Sequence, residues 1–125
     1  MTVLLDTDIA IEILRARDQA ILTKWKGLIV SGVVVLYSPV NAAEVWAGAL
    51  PHEHQFISRF FRPLVCVAAD YDIGQLAGEF LRKYARSHSV EIGDALIAAT
   101  AVLHQSELWT RNRKHYPMPG LTFYN

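Results

Sequence analysis

The stretch Val33-Val34-Val35-Leu36-Tyr37 is a continuous run of apolar residues in which valine predominates. β-branched and aromatic side chains favour an extended strand, and an apolar run without polar alternation is typical of a strand that is covered on both faces. Strands of this kind belong to parallel sheets, whose connecting helices pack on the two sides of the sheet. The stretch therefore predicts an α/β fold that is built on a parallel sheet.

Strand and helix patterns alternate on both sides of this stretch. Before it, a strand over 2–5 ends at Asp6, and apolar residues then recur at helical spacing over 9–14, with Thr7 or Asp8 available as the cap. After a helix over 20–29 and the central strand, we predict helices over 41–50, 52–61, 70–86 and 91–104, and strands over 64–67, 108–110 and 121–123. The alternation predicts one α/β domain over residues 1–125, with a mostly parallel sheet of four to five strands and helices on both faces.

The length and composition are those of a globular protein. The chain has 125 residues, of which 52% are hydrophobic and 19% are charged, and a domain of this size can bury a substantial core. No apolar run is long enough to span a bilayer, and Asp6 and Asp8 interrupt the region where a signal peptide would be apolar. We therefore expect a cytoplasmic protein. The lone cysteine, Cys66, excludes an internal disulfide and, inside an apolar run, is expected to be a core residue.

The charges balance, with 12 basic and 12 acidic residues. A protein that binds nucleic acid usually carries a net basic surface, so the bulk charge does not predict such a partner. A divalent cation held by acidic side chains can, however, attract phosphate by itself. The positions of the charges are therefore more informative than their sum.

Polar side chains stand at the ends of two predicted strands and within two otherwise apolar helices. Asp6 follows the first strand and Thr110-Arg111-Asn112 follow a later one, at the edge of the sheet where α/β proteins bind ligands. Asp94 and Glu44 each lie among apolar neighbours, which is costly for a carboxylate unless it is paired or bound to a cation. A shared Mg²⁺ or Mn²⁺ would explain these acids, because such ions prefer oxygen ligands and activate water for attack on phosphodiesters.

Each acid also has a purely structural interpretation. Asp6 and Asp8 are suited to capping a helix, Asp94 to the first turn of a helix, and Glu44 to a face that is exposed to solvent. Glu91 shares a helix face with Asp94 and could either assist the site or act as a cap. The positions alone leave both interpretations open.

Four segments resemble, in order along the chain, the motifs of PIN domains, and within that family those of the VapC toxins. The segments are LLDTD (4–8), VNAAEVWAG (40–48), IGDALIAATA (92–101) and LWTRNRKHY (108–116). The first three carry the acids that correspond to catalytic residues of the family, and the last resembles the closing motif of a VapC subgroup. Together they span nearly the whole chain, so the resemblance covers the domain and not one isolated motif.

The resemblance implies a metal-dependent ribonuclease that forms a homodimer and is neutralised by a cognate VapB-like antitoxin. Asp6, Glu44 and Asp94 would bind Mg²⁺ or Mn²⁺, and Asn112 and Thr110 would orient a water or the ligand shell of the metal. Many PIN domains carry an aspartate where Asn112 stands, which leaves the number of bound ions open. Four basic residues are candidates for holding RNA phosphates: Arg15, Arg111, Arg113 and Lys114.

Two other functions fit parts of the sequence. Asp6-Thr7-Asp8 after a strand also resembles the opening of haloacid-dehalogenase-type phosphatases, but Gly93-Asp94 is not followed by the second acid that this family needs. A non-catalytic interaction module would use the acids as caps and present aromatic side chains to a partner. Helical spacing favours core positions for most of those aromatics, which are Trp46, Phe56, Phe60 and Phe61. Binding of Mn²⁺ would separate a nuclease from this module.

Overall fold

A computed structural model describes all residues from 1 to 125, and its strands and helices alternate along the chain as predicted. The strands are β1 (Thr2–Leu5), β2 (Val34–Tyr37), β3 (Val65–Cys66) and β4 (Glu107–Trp109). The helices are α1 (Thr7–Arg15), α2 (Gln19–Val30), α3 (Pro39–Ala47), α4 (His54–Phe61), α5 (Tyr71–His88) and α6 (Ile92–Leu103), with short 3-10 helices at Pro51–Glu53 and Arg113–His115. None of the helices combines the length and the apolar character that crossing a membrane requires.

The four strands form one sheet in the order β3-β2-β1-β4, and all neighbouring strands are parallel. In the central strand β1, Leu4 lies between Leu36 of β2 and Leu108 of β4. Asp6 extends this ladder by one residue, because its backbone N–H donates to the carbonyl oxygen of Trp109 at 2.9 Å. The parallel sheet is confirmed, and its central strand ends at the first candidate acid.

Helices cover both faces of the sheet, as predicted. Leu4 belongs to a hydrophobic cluster with Ile73 of α5 and Ala98 of α6 on one face. Leu5 points to the opposite face and packs in a second cluster that includes residues of α1, α2 and α4. Alternate residues of one strand therefore fill two separate cores, which is why the strand is apolar throughout.

Proline and serine place the start of α3 earlier than the sequence pattern predicted. Pro39 was expected to precede a helix over 41–50, but it occupies the first helical position, where its missing N–H costs no hydrogen bond. Ser38 caps the helix by accepting a hydrogen bond from the N–H of Val40 at 3.1 Å. The helix ends at Ala47 and not at Leu50, with Gly48 as its C-cap residue, and Leu50 has an extended backbone because it precedes Pro51.

The cap of α1 is one of the offered candidates, whereas the last predicted strand differs from expectation. Asp6 is the N-cap, as its structural interpretation predicted, and takes the place of Thr7 or Asp8, with its Oδ1 accepting the N–H of Thr7 at 2.8 Å. The strand predicted over 121–123 does not form, and Phe123 makes only an isolated bridge with Leu108. The sheet therefore has four strands, with the C-terminal segment held beside β4.

The prediction that Cys66 is a core residue is wrong. Both residues of β3 are exposed, because β3 is a short strand at the edge of the sheet. The residues that anchor this segment in the core are the flanking Leu64 and Val67. An apolar run alone does not tell an edge strand from a central one.

The prediction of core positions for the aromatic residues holds for only part of the set. Phe61 is buried and Phe60 is partly buried, but Trp46 is 38% and Phe56 is 56% exposed. The Trp46 ring packs edge-on against His54, with 5.1 Å between the ring centroids. Trp46 lies on α3, the helix that carries Glu44, and Phe56 lies on α4.

Candidate active site

Asp6 is the buried acid of the site, with 8% of its surface exposed. The end of β1 places it between the ends of the neighbouring strands. Its Oδ1 accepts hydrogen bonds from the N–H of Thr7 at 2.8 Å and from the hydroxyl of Tyr116 at 3.0 Å, and its Oδ2 accepts one from the hydroxyl of Thr110 at 2.7 Å. Three donors on both oxygens fix the orientation of this carboxylate.

Burial raises the pKa of Asp6 from 3.8 to about 6. The nearby carboxylate of Asp8 raises it as well, whereas the hydrogen bonds from Thr110, Tyr116 and Thr7 act in the opposite direction by stabilising the charged form. The negative charge of Asp6 is thus held at a cost in free energy at neutral pH. A bound cation would lower that cost.

Asp8 lies in the first turn of α1, and one oxygen of its carboxylate lacks a hydrogen-bond partner. Its buried Oδ1 has no hydrogen-bond partner, and its Oδ2 lies 3.5 Å from Nε of Arg111. Arg111 also lies 3.5 Å from Oε1 of the buried Glu12. A buried oxygen without a partner is unusual in folded proteins and is suited to a water or a cation.

Glu44 lies on α3 and is exposed, so the interpretation that it stands on a solvent-facing side of its helix is confirmed. The neighbouring Val45 takes the buried position on this helix instead. The Oε1 of Glu44 accepts a hydrogen bond from the hydroxyl of Thr7 at 2.6 Å. Its Oε2 lies near the backbone of α6, 3.6 Å from the position that a Cβ on Gly93 would take.

Asp94 lies in the first turn of α6. It lines a cavity of about 330 Å³ that Glu44 also lines. Its Oδ2 accepts a hydrogen bond from the backbone N–H of Glu91 at 3.1 Å and lies 3.6 Å from Nδ1 of His115. Asp94 thus satisfies the helix terminus, as its structural interpretation predicted, and also presents a carboxylate to the cavity. Glu91 is exposed and lines the rim of this cavity.

The structure brings Glu44 and Asp94 together, and it joins Asp6 to the pair indirectly. Thr7 donates to both Asp6 and Glu44. The pKa of the Tyr116 hydroxyl is raised mainly by burial and further by the carboxylates of Asp6 and Asp94. No three acidic, histidine or cysteine side chains lie close enough together in this conformation to hold one ion. That Asp6, Glu44 and Asp94 share an ion therefore stays a prediction.

Thr110 and Asn112 form a short chain of hydrogen bonds that ends on Asp6. The Thr110 hydroxyl donates to Asp6 directly, and the backbone N–H of Asn112 donates to the Thr110 oxygen at 2.9 Å. Thr110 therefore orients the carboxylate of Asp6. The sequence analysis did not select Tyr116, whose aromatic character gave no signal for a site; its contact with Asp6 joins positions 110 residues apart.

The four basic residues proposed to hold phosphates occupy different surroundings. Arg15 lines a groove together with Glu44 and Phe56. Arg111 is paired with acids of α1, as described above, and Arg113 contacts the side chain of Asn125 and stacks over the ring of Phe123. Lys114 is exposed. Arg15 is therefore the candidate that shares a groove with Glu44.

The fold and the site together define an α/β domain with carboxylates gathered at the carboxyl edge of a parallel sheet. The profile of the PIN domain matches residues 3–121, so the chain belongs to the PIN domain family. The prediction from the four sequence motifs is thereby confirmed, and the phosphatase interpretation of Asp6-Thr7-Asp8 is wrong.

Individual relatives agree with this assignment. The chain is 34% identical over 116 residues to Ribonuclease VapC19 of Mycobacterium tuberculosis, with 92% of each chain covered. It is 33% identical over 121 residues to Ribonuclease VapC10 of the same organism, covering 93% of this chain and 86% of the relative. A solved toxin-antitoxin complex from Klebsiella pneumoniae contains a chain with 26% identity and a TM-score of 0.77, covering 96% of this chain and 95% of that one. The similarity therefore extends over the whole domain.

Proposed function

We propose that this protein is a divalent-metal-dependent ribonuclease that hydrolyses RNA phosphodiester bonds and acts as the toxin of a type II toxin-antitoxin pair. Its similarity to the two ribonucleases supports the reaction, and its similarity to a chain of the toxin-antitoxin complex supports the pairing. The observation that carries the proposal is the buried Asp6, whose pKa is raised to about 6 beside the unpartnered oxygen of Asp8. A carboxylate held charged at such a cost is typical of a functional site.

The proposed cofactor is Mg²⁺ or Mn²⁺, held by Asp6, Glu44 and Asp94. The chemistry of these donors fits such an ion, because all three are carboxylates, and the carboxylate of Asp8 adds a buried oxygen without a hydrogen-bond partner near Asp6. When bound, the ion supplies stabilisation of negative charge on the phosphodiester and an activated water. Thr110 and Tyr116 orient Asp6 for this task through their hydrogen bonds.

RNA would reach the site along the groove that Arg15 shares with Glu44. An arginine beside the carboxylates can hold a phosphate on either side of the cleaved bond, and Arg113 and Lys114 are proposed to contact more distant phosphates. Arg111 is proposed to assist from its place between Asp8 and Glu12. We further propose a homodimer in the cytoplasm, neutralised by a cognate VapB-like antitoxin.

Tyr116→Phe tests whether the hydroxyl on Asp6 supports metal binding. The change keeps the buried ring but removes one hydrogen bond to a charged group, so we expect Mn²⁺ to bind about tenfold more weakly. Calorimetric titration with Mn²⁺ at pH 7 measures the effect. Tyr71→Phe, at a residue that is 80% exposed, is the matched control. An affinity equal to that of the wild type would limit Tyr116 to a packing role.

The central test of the proposed function is RNA cleavage by the purified protein. A panel of structured and single-stranded RNAs should be cut in the presence of Mg²⁺ or Mn²⁺ and remain intact in EDTA. Restoring excess Mn²⁺ to the chelated sample should restore cleavage. Calorimetry that shows no Mn²⁺ binding, together with no cleavage of any RNA, would favour the non-catalytic interaction module.

A further inference from the structure

A chain of hydrogen bonds leads from the backbone of α3 to the carboxylate of Glu44. The N–H of Ser38 donates to Oδ1 of Asn41 at 2.7 Å, and Nδ2 of Asn41 donates to Oγ1 of Thr7 at 3.0 Å. The hydroxyl of Thr7 then donates to Oε1 of Glu44 at 2.6 Å. Asn41 is completely buried at 0% exposure, so its amide has little freedom to choose other partners.

The chemistry of the groups fixes the direction of every bond in this chain. A backbone N–H can only donate, so the atom of Asn41 that faces Ser38 must be the carbonyl oxygen. The other end of the amide is then the NH₂ group, and Thr7 must accept from it. Thr7 has one hydroxyl proton, which remains available for Glu44 alone.

The two carboxylate oxygens of Glu44 have different contacts. Oε1 is held by Thr7, while Oε2 lies beside Gly93 at the wall of the cavity that Asp94 also lines. Because Glu44 is exposed, no packing prevents its long side chain from rotating into solvent. The hydrogen bond from Thr7 therefore restrains the side chain of Glu44, whereas the side chain of Asp6 is also restrained by its burial.

We propose that Thr7 and Asn41 are positioning residues for Glu44, which hold its free oxygen toward the metal site in the absence of the ion. The inference rests on the proposed function, because it assigns Glu44 a role in metal binding. Thr7 lies on α1 and both Asn41 and Glu44 lie on α3, so the chain of bonds also fixes the two helices relative to one another at the edge of the sheet.

Thr7→Val and Thr7→Ser separate this role from a packing role. Valine has nearly the shape of threonine but lacks the hydroxyl, so we expect Mn²⁺ to bind on the order of tenfold more weakly, since a hydrogen bond to a charged group is lost. Serine keeps the hydroxyl and should restore most of the affinity. Calorimetric titration of the metal-free protein measures binding directly, and the Mn²⁺ concentration for half-maximal RNA cleavage gives a second readout.

Thr23→Val, at an exposed residue of α2, controls for the substitution itself. Asn41→Asp tests the direction of the bonds, because two carboxylate oxygens would both accept and would turn the Thr7 proton away from Glu44. It should weaken Mn²⁺ binding as Thr7→Val does. Thermal melting checks that each variant folds, and the Thr7 pair decides the test if the buried charge of Asn41→Asp prevents folding.

Two failures are distinguishable. Wild-type protein that binds no Mn²⁺ and cuts no RNA would overturn the proposed function. If the wild type binds Mn²⁺ and folded Thr7→Val binds it equally well, the positioning role is overturned and the proposed function remains intact. Weak binding by both Thr7→Val and Thr7→Ser would also overturn it, because the hydroxyl would then not be the decisive group.

Discussion

Replacing Asp94 with asparagine should lower the rate of Mn²⁺-dependent RNA cleavage by on the order of 1,000-fold, because a metal ion that loses a charged ligand loses several kcal/mol of transition-state stabilisation. Asparagine keeps an oxygen that can accept the N–H of Glu91, so the start of α6 should stay intact. Single-turnover cleavage of an RNA that the wild type cuts measures the effect, and a thermal melt in EDTA checks the fold.

Asp72→Asn is the matched control for this variant, since it removes the same charge from an exposed position in the first turn of α5. Its cleavage rate should equal that of the wild type. If Asp94→Asn were folded and cut RNA as fast as Asp72→Asn, Asp94 would be only the acid that satisfies the end of its helix.

Asp6 should make the metal-free protein less stable at neutral pH than in acid. Its pKa is about 6 in the folded protein, above its ordinary value of 3.8, so the folded state binds more protons than the unfolded state between these two values. The associated stability is present below the lower pKa and is lost as the pH rises through the higher one. The difference of about two pH units corresponds to a loss of about 3 kcal/mol in the free energy of unfolding.

Urea unfolding in EDTA at several pH values between 4 and 7 measures this loss as the difference between wild type and Asp6→Asn. The asparagine at position 6 cannot ionise, while all other acids are the same in both proteins. Subtracting the free energy of unfolding of the variant from that of the wild type therefore leaves the contribution of Asp6. Asp70→Asn, which keeps the cap of α5, controls for the substitution. A wild-type curve that runs parallel to that of Asp6→Asn would show that burial imposes no such cost. Added Mn²⁺ should stabilise the wild type more at pH 7 than at pH 5, because proton and cation compete for the same oxygens.

Local sequence patterns predicted most of the fold because each strand and helix leaves its own periodicity in the chain. The valine-rich stretch predicted β2 to within one residue at its start, and the apolar stripe over 70–86 predicted α5. The errors fall at ends and edges, where the sequence pattern does not report the environment. Cys66 and the segment around Phe123 are examples, because exposure at an edge strand and the failure to pair fully depend on neighbours that are distant in sequence.

The site was predictable only in part. Motifs selected Asp6, Glu44, Asp94 and Thr110 from the sequence, since each stands in a segment whose pattern is recognisable. The sequence left open which acid is buried, because the apolar neighbours of Glu44 along the chain say nothing about its side of the helix. The structure places Glu44 in solvent and buries Asp6, which closes the central strand of the sheet.

The sequence by itself determined a parallel α/β domain of the PIN family and the chemical type of its site, because strand and helix propensities and acidic motifs are local properties of the chain. Only the tertiary structure decided which groups hold those acids. Tyr116 meets Asp6, and Asn41 reaches Glu44 through Thr7, across contacts between separate elements. A hydrogen bond depends on the distance and direction between two groups in space, and the spacing of residues along a chain determines neither.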